Sequence, residues 1–149
     1  VRERAEAVGR TILIHTDAVQ AAGYLNLSVK ELGVDMLSLS AHKFHGPKGV
    51  GALYIRDGVQ AKPLMLGGSH ERSRRAGTDN VPGIVGLGEA CRLASESLDD
   101  LKNRVAPLRD RFEQGLLERL PGCVLNGTRN NRIPHASNVS FEKVEGEAL

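Results

Sequence analysis

The sequence predicts a domain of the α/β class with a mostly parallel sheet, followed by the start of a smaller α+β unit. Two apolar, β-branched runs, Thr11–His15 and Asp35–Leu39, have the length and composition of buried strands. Between them, Ser28 and Glu31 form a capping-box pattern that begins a short helix. Strand, helix and strand in this order are typical of a βαβ unit, which has parallel strands and a right-handed crossover.

Length and composition are those of a globular protein and argue against several classes of function. The chain has 149 residues, of which 40% are hydrophobic and 26% charged, and its formal net charge is +2. Only 3% are aromatic, which with so small a charge argues against a nucleic-acid partner. No apolar run approaches the ~20 residues that a membrane span needs. We therefore expect neither nucleic acid nor membrane as a partner.

The cysteines and histidines show no pattern of a disulfide framework or a metal site. Cys91 and Cys123 are far apart in the chain, and the five histidines have no zinc-ligand spacing. Cysteines without a disulfide pattern favour a reducing compartment, so we expect the cytoplasm. Because the histidines lack a ligand spacing, we expect no metal.

The sequence predicts helical segments at both ends of the chain. A helix is predicted over Arg2–Val8 with Gly9 as its C-cap, and another begins at Glu147–Leu149. Because the chain opens without Met in the first of these, we expect an internal piece of a longer protein.

The segment Ser38–Gly51 carries the main candidate site. Its Ser-x-His-Lys sequence places a hydroxyl, an imidazole and an amine at a strand end, where open α/β sheets bind ligands. Asp17 ends the preceding strand and would lie on the same edge as Lys43, although a turn or cap role is the alternative. The run Gly46–Gly51 is neither a Walker A loop nor a dinucleotide fingerprint, since a strand, Gly51–Ile55, follows it. We expect a tight turn there.

A weak strand is predicted at Pro63–Leu66, and a long polar loop follows over Gly67–Asn80. The loop contains three arginines together with Thr78, which could bind a phosphate or a carboxylate. A solvated basic loop is the alternative interpretation.

A helical period runs from Val81 to Leu120, with one apolar face from Leu98 onward. Asn80 is its expected cap, Pro107 should kink or divide it, and Pro121 with Gly122 ends it. Three glycines suggest close packing of its first part: Gly83, Gly86 and Gly88.

Where the helical stretch turns strongly charged, we expect a domain boundary. It separates a large domain, residues 1–97, from the start of a small domain, residues 98–149. In the small domain, Cys123–Gly127 and Ser137–Phe141 are predicted as short strands.

In combination, four motifs resemble those of NifS/IscS-type cysteine desulfurases, pyridoxal-phosphate (PLP) enzymes of the class V aminotransferase superfamily. The motifs are His-x-Asp-Ala-x-Gln at 15–20, Ser-Ala-His-Lys with Gly-Pro-Lys-Gly at 40–49, Gly-Gly-x-x-Glu-x-x-x-Arg-x-Gly-Thr-x-Asn at 67–80, and the segments 137–141 and 144–147. The resemblance implies the fold-type I PLP-dependent transferase fold and PLP as cofactor. It also implies L-cysteine as substrate, a sulfur-acceptor or scaffold protein as partner, and a homodimer.

The resemblance assigns a cofactor contact to each of six residues. Lys43 would form the Schiff base and serve as the catalytic residue in proton transfer, and Asp17 would keep the pyridine nitrogen protonated. The remaining contacts fall to Gln20 for the ring hydroxyl, to Ser40 and His42 for the phosphate, and to Thr78 for the phosphate bound by the partner subunit.

The implied reaction ends with an enzyme thiolate taking the substrate sulfur as a persulfide and releasing alanine. In the family this cysteine follows the Val144–Glu147 segment, and Cys91 and Cys123 do not occupy its position, so we expect the chain alone to be inactive and poorly folded. Two alternatives remain. One is another class V PLP enzyme, such as a selenocysteine lyase, a kynureninase-like hydrolase or an aminotransferase. The other is a phosphate-binding module without catalysis.

Overall fold

The computed structural model describes residues 2–148, which form two compact units that divide between Ser95 and Glu96. The first unit contains α1 (Arg2–Glu6), β1 (His15–Asp17), α2 (Val29–Leu32), β2 (Met36–Ser40), β3 (Gly51–Ile55), β4 (Ser69–His70), β5 (Arg75–Ala76) and most of α3 (Val81–Asp100). The second contains the end of α3, α4 (Ala106–Arg119), β6 (Cys123–Leu125) and β7 (Val139–Phe141). The domain boundary at 97/98 stays a prediction. No helix within residues 2–148 is long and apolar enough to cross a membrane.

The predicted βαβ unit is present. β1 and β2 are parallel, with Asp17 opposite Ser38. The helix between them begins as expected, because the Ser28 side chain accepts a hydrogen bond from the Glu31 backbone N–H at 3.4 Å. It ends at Gly33, whose φ of 63° is a left-handed conformation that glycine adopts without strain.

β3 pairs antiparallel with β2, giving a three-stranded sheet of order β1-β2-β3. Only a 3₁₀ turn (Ala41–Phe44) and the glycine-rich turn join the two strands. A parallel return needs a crossover of about a dozen residues or more, usually through a helix, so this short connection favours a hairpin-like return. The expected tight turn at 46–51 is confirmed.

Several predicted strand boundaries are wrong. β1 begins at His15, and the expected strand residues Ile12 and Leu13 are 43% and 48% exposed. No strand forms at Pro63–Leu66, where Leu64 is 92% exposed. Apolar composition alone does not make a strand, because a strand also needs a partner for its backbone groups.

The polar stretch 67–80 is more ordered than a plain loop. β4 and β5 pair antiparallel as a short ribbon. The turn between them contains three consecutive residues with positive φ, Glu71, Arg72 and Ser73, at 49°, 56° and 64°. Positive φ is uncommon for residues other than glycine, so the turn is a strained feature that composition does not reveal.

The core of the first unit ties α3 to the turn after β2. Its main cluster consists of Ala22, Ala41, Phe44, Leu87 and Ala90. A second cluster, Ala18, Val34 and Leu37, lies under the β1–β2 pair.

Two glycines allow this close packing. A Cβ on Gly46 would lie 2.8 Å from the Cβ of Ala41, and one on Gly86 would lie 2.5 Å from Cγ of Pro47. The expectation of close packing is therefore confirmed for Gly86. It is wrong for Gly88, where an added Cβ would meet no atom within 4 Å.

A buried carboxylate, Asp35, links α1, the entry to β1 and the end of β3. Its side chain has no exposed surface, and its Oδ2 accepts hydrogen bonds from the Ile14 backbone N–H at 2.7 Å and from Arg2 at 2.8 Å. Arg56 pairs with Oδ1. The Ile14 hydrogen bond and these arginines hold the pKa of Asp35 below its ordinary value, although burial opposes the shift.

The predicted cap and division of the long helix are confirmed, but the first helix ends two residues before the predicted end at Val8. The helix expected at Arg2–Val8 ends at Glu6, and Gly9 follows with φ of 66°, its N–H bonding the Glu6 carbonyl at 3.0 Å. Asn80 caps α3 through a 3.2 Å hydrogen bond from the Gly83 N–H. A π-helical turn (Leu101–Val105) separates α3 from α4, and Pro107 lies in the first turn of α4.

In the second unit, α4 packs with the antiparallel pair β6–β7. The expected single apolar face is interrupted, since Leu108 and Phe112 are 48% and 57% exposed, and a π-turn shifts the phase of the helix. A 3₁₀ turn spans Gly146–Ala148, whereas Leu149, at the end of the expected helix start, lies outside the described residues.

Candidate functional site

The parallel pairing of β1 and β2 brings the main predicted site residues to one edge of the sheet. Asp17 is the last residue of β1, and Ser40 is the last residue of β2. His42 and Lys43 follow in the 3₁₀ turn. Since parallel strands end at the same edge, the carboxylate, hydroxyl, imidazole and amine are carried on that edge.

The turn that carries Lys43 is held in place by its two apolar members. Ala41 and Phe44 are 0% and 4% exposed and pack in the main core cluster. His42 is exposed and Lys43 is half-buried. Residues three apart lie on the same side of a 3₁₀ helix, so anchoring Ala41 and Phe44 leaves His42 and Lys43 outside the core.

The polar groups at this edge form two hydroxyl–imidazole pairs. Ser40 Oγ lies 2.9 Å from His42 Nδ1, and Ser38 Oγ lies 2.7 Å from His15 Nε2. Sequence reasoning missed the second pair. The available signal was the alternation of His15 with Asp17 and of Ser38 with Ser40, which places each pair of side chains on one face of its strand.

The Asp17 carboxylate is held through one of its oxygens only. Oδ1 accepts a hydrogen bond from the Val19 backbone N–H at 3.0 Å, as in an Asx turn. Within the described residues, Oδ2 has no hydrogen-bond partner. The expected turn role and a ligand role are therefore compatible, because they use different oxygens.

Two further predicted residues lie on loops. Gln20 follows β1 in a turn closed by hydrogen bonds from the Ala21 and Ala22 N–H groups to the Ala18 carbonyl, and its side chain is exposed. Thr78 is exposed in the link between β5 and α3. No hydrogen bond within the described part of the chain joins either side chain to the other predicted site residues.

The two cysteines are free thiols that lie on α3 and β6. Cys91 is on α3, where partial burial raises the pKa of its thiol, so less of it is thiolate at neutral pH. Cys123 is half-buried at the start of β6. Across residues 2–148, no group of three or more His, Cys, Asp or Glu side chains is arranged to hold a metal ion.

The edge carries a lysine in the turn after β2 and an aspartate at the end of the parallel strand β1. The chain that contains it matches one enzyme family over nearly its whole length. The Aminotransferase class-V family matches residues 2–149, and the chain belongs to that family. Membership implies PLP as the cofactor.

The individual proteins that it is similar to are cysteine desulfurases. The cysteine desulfurase of Gluconacetobacter diazotrophicus is 56% identical over 137 residues, covering 92% of this chain and 34% of that protein. The cysteine desulfurase of Sinorhizobium fredii is 53% identical over 147 residues, covering 99% of this chain and 38% of that protein. The chain thus spans roughly a third of the length of these curated relatives.

A solved structure of a NifS-like protein superposes with a TM-score of 0.83 at 43% sequence identity, covering 91% of this chain and 37% of that one. This likeness confirms the α/β fold class and its fold-type I architecture.

The residues at the edge fit PLP by their chemistry. Lys43 offers an amine for the aldehyde, and Oδ2 of Asp17 offers an open acceptor for a pyridinium N–H. The Ser40–His42 pair offers a hydroxyl and an imidazole for an anionic phosphate.

Proposed function

We propose that this chain supplies the PLP-binding edge of a cysteine desulfurase, which converts L-cysteine to L-alanine and passes the sulfur to an enzyme persulfide. Iron–sulfur cluster or thio-cofactor assembly would use that sulfur through an acceptor or scaffold protein. The observation that carries the proposal is the placement of Asp17 and of Ser40, His42 and Lys43 on one sheet edge. The names of the relatives at 53–57% identity support it.

In this proposal the catalytic residue is Lys43. Its Nζ would hold the cofactor covalently and, once the substrate amine has displaced it, would take and return the proton at the substrate's α-carbon. The half-buried position of Lys43 holds the amine in a fixed turn beside the strand end. PLP, when bound, supplies an electron sink for the carbanion formed at that carbon.

The other site residues bind and orient. Asp17 keeps the pyridine nitrogen protonated, and Gln20 donates to the ring hydroxyl oxygen. Ser40 and His42 hold the phosphate, where charge-assisted hydrogen bonds are strongest. Thr78 reaches the phosphate bound by a second subunit, which makes the active form a homodimer.

The persulfide carrier is neither Cys91 nor Cys123 in this proposal. The raised pKa of the Cys91 thiol disfavours the thiolate that must attack the substrate sulfur. The cysteines show no disulfide pattern, which supports a cytoplasmic location for the protein. We also propose that residues 1–97 belong to the large domain and residues 98–149 to the small domain.

The test compares Lys43→Arg with Lys48→Arg in the complete reading frame that encodes this chain. Lys48 lies in the same glycine-rich turn and is exposed, so it is a matched control. We expect the absorbance of the lysine–PLP bond and alanine release from L-cysteine in wild type and Lys48→Arg. Both should be lost in Lys43→Arg, and borohydride reduction should label the Lys43 peptide.

The alternatives predict other results. Labelling of Lys43 without alanine release from L-cysteine would indicate another class V PLP enzyme. If Lys43→Ala binds inorganic phosphate normally and wild type shows no lysine–PLP absorbance, the chain belongs to a phosphate-binding module, and the proposed function is wrong.

A further inference from the structure

The face of the sheet that carries Asp17 also carries a histidine and a serine to which the proposed function gives no role. Alternate residues of a strand lie on the same face, so His15 and Asp17 share one face of β1. Leu37 is 3% exposed in the core cluster, which places its neighbour Ser38 on the opposite face. Paired residues of neighbouring strands share a face, and Asp17 is paired with Ser38.

Although Ser38 is the register partner of Asp17, its hydroxyl is bound elsewhere. Ser38 Oγ lies 2.7 Å from Nε2 of His15. The Asp17 carboxylate is bound at Oδ1 by the Val19 N–H at 3.0 Å, and its Oδ2 has no partner among residues 2–148. The serine hydroxyl is thus turned to the imidazole and not to the carboxylate opposite it.

Without its His15 partner, the Ser38 hydroxyl would be expected to form a hydrogen bond with the Asp17 carboxylate. Neighbouring strands lie about 4.8 Å apart, so a serine side chain reaches a carboxylate at the paired position by a change of rotamer. A hydrogen bond to a charged acceptor is about twice as strong as one between neutral groups. A hydroxyl in that position would compete with any other donor for the open oxygen of Asp17.

We propose that His15 is a positioning residue: by binding the Ser38 hydroxyl, it keeps the second oxygen of Asp17 open for the pyridinium N–H of the cofactor. The inference rests on the proposed function, in which Asp17 accepts that N–H. It gives His15 a role that acts entirely through Ser38, without contact to cofactor or substrate.

The experiment is a double-mutant cycle with the complete protein, using His15→Ala, Ser38→Ala and the double variant. The dissociation constant of PLP is measured by adding PLP back to each cofactor-free protein. Thr16→Val is the matched control, because Thr16 lies on the same strand but on the opposite face. A crystal structure of cofactor-free His15→Ala shows directly where the Ser38 hydroxyl goes.

We expect His15→Ala to bind PLP about fivefold more weakly, the equivalent of one net hydrogen bond of about 1 kcal/mol. Removing Ser38 as well should return the affinity to within about twofold of wild type, since the competing donor is gone. In cofactor-free His15→Ala, Ser38 Oγ should lie about 2.7 Å from the Asp17 carboxylate. Thr16→Val should bind PLP as wild type does.

If His15 had a purely structural role, the double-mutant cycle would give different PLP affinities. The double variant would then bind PLP as weakly as His15→Ala or more weakly, and that result overturns the inference. So does a His15→Ala crystal structure in which Ser38 stays away from Asp17. If wild type binds PLP and Asp17→Asn weakens that binding, while none of the three variants in the cycle changes the affinity for PLP, the inference alone fails. If wild type does not bind PLP, the proposed function fails first.

Discussion

Ser40 Oγ lies 2.9 Å from Nδ1 of His42, across the junction between β2 and the turn that carries Lys43. The pair presents a hydroxyl and an imidazole at the carboxyl end of a strand. In the proposed function these two side chains hold the phosphate of PLP, and Lys43 beside them holds its aldehyde end.

Replacement of either member of this pair should weaken cofactor binding. We expect Ser40→Ala and His42→Ala each to raise the dissociation constant of PLP about tenfold, because each removes a hydrogen bond to a charged phosphate. The measurement is PLP titration into cofactor-free protein with inorganic phosphate as competitor. His45→Asn is the control, since His45 is exposed with φ of 67°, a conformation that Asn tolerates. An equal loss of affinity in the control would contradict a specific phosphate site.

Asp17→Asn should impair catalysis far more than it weakens cofactor binding. The amide keeps the shape of the side chain but cannot neutralise a pyridinium, so the electron sink is weakened. We expect alanine release to fall by about 100-fold or more, while Lys43 still binds PLP covalently. Asp57→Asn, at an exposed position after β3, should leave the rate unchanged. A rate for Asp17→Asn within a few-fold of wild type would remove Asp17 from the proposed role.

Gly86 and Gly88, two residues apart on α3 and so on different sides of the helix, should respond to alanine in opposite directions. An added Cβ on Gly86 meets Pro47 Cγ at 2.5 Å, so Gly86→Ala should lower the free energy of unfolding by about 1–3 kcal/mol. Gly88→Ala meets no atom within 4 Å and should raise it by up to about 1 kcal/mol through helix propensity. Urea denaturation of both variants measures the difference. Destabilisation by both would show that the packing around Gly86 is not the cause.

In the second unit, Glu113 is 3% exposed and receives two hydrogen bonds from Arg132, at 2.6 and 2.7 Å. Glu113→Gln leaves the arginine partly unpaired, so we expect a loss of about 3 kcal/mol in the free energy of unfolding near neutral pH. Glu118→Gln, on the same helix but exposed and bonded to Gln114, should change it by less than about 0.5 kcal/mol.

The difference in free energy of unfolding between wild type and Glu113→Gln should shrink as the pH falls into the acid range. The Arg132 hydrogen bonds hold the pKa of Glu113 below its ordinary value of 4.5, against the opposing effect of burial. A lowered pKa means that the stabilisation is fully present above pH 4.5 and is lost as the pH falls through the folded-state pKa. Denaturation curves in acid should therefore converge for the two proteins. A gap that widens in acid would contradict the assignment.

Local chemistry made several elements predictable. The Ser28–Glu31 capping pattern predicted the start of α2, and Asn80 predicted the start of α3, because a cap needs only a side-chain oxygen beside the first turn. The parallel β1–β2 pair followed from the strand–helix–strand order. Strand boundaries and the absence of a strand at Pro63–Leu66 were not predictable, since they depend on which segment lies alongside.

For the site, the sequence by itself determined which groups are available and at which strand ends they stand: Asp17 after one apolar run, and Ser40, His42 and Lys43 after the next. Only the tertiary structure decided which of them are bound to one another. The turn at Ala41–Phe44 is fixed by burial of its apolar members, and the parallel register sets β1 beside β2, which brings both Asp17 and His15 within reach of Ser38. Register is a relationship between distant segments, and no local pattern in either strand contains it.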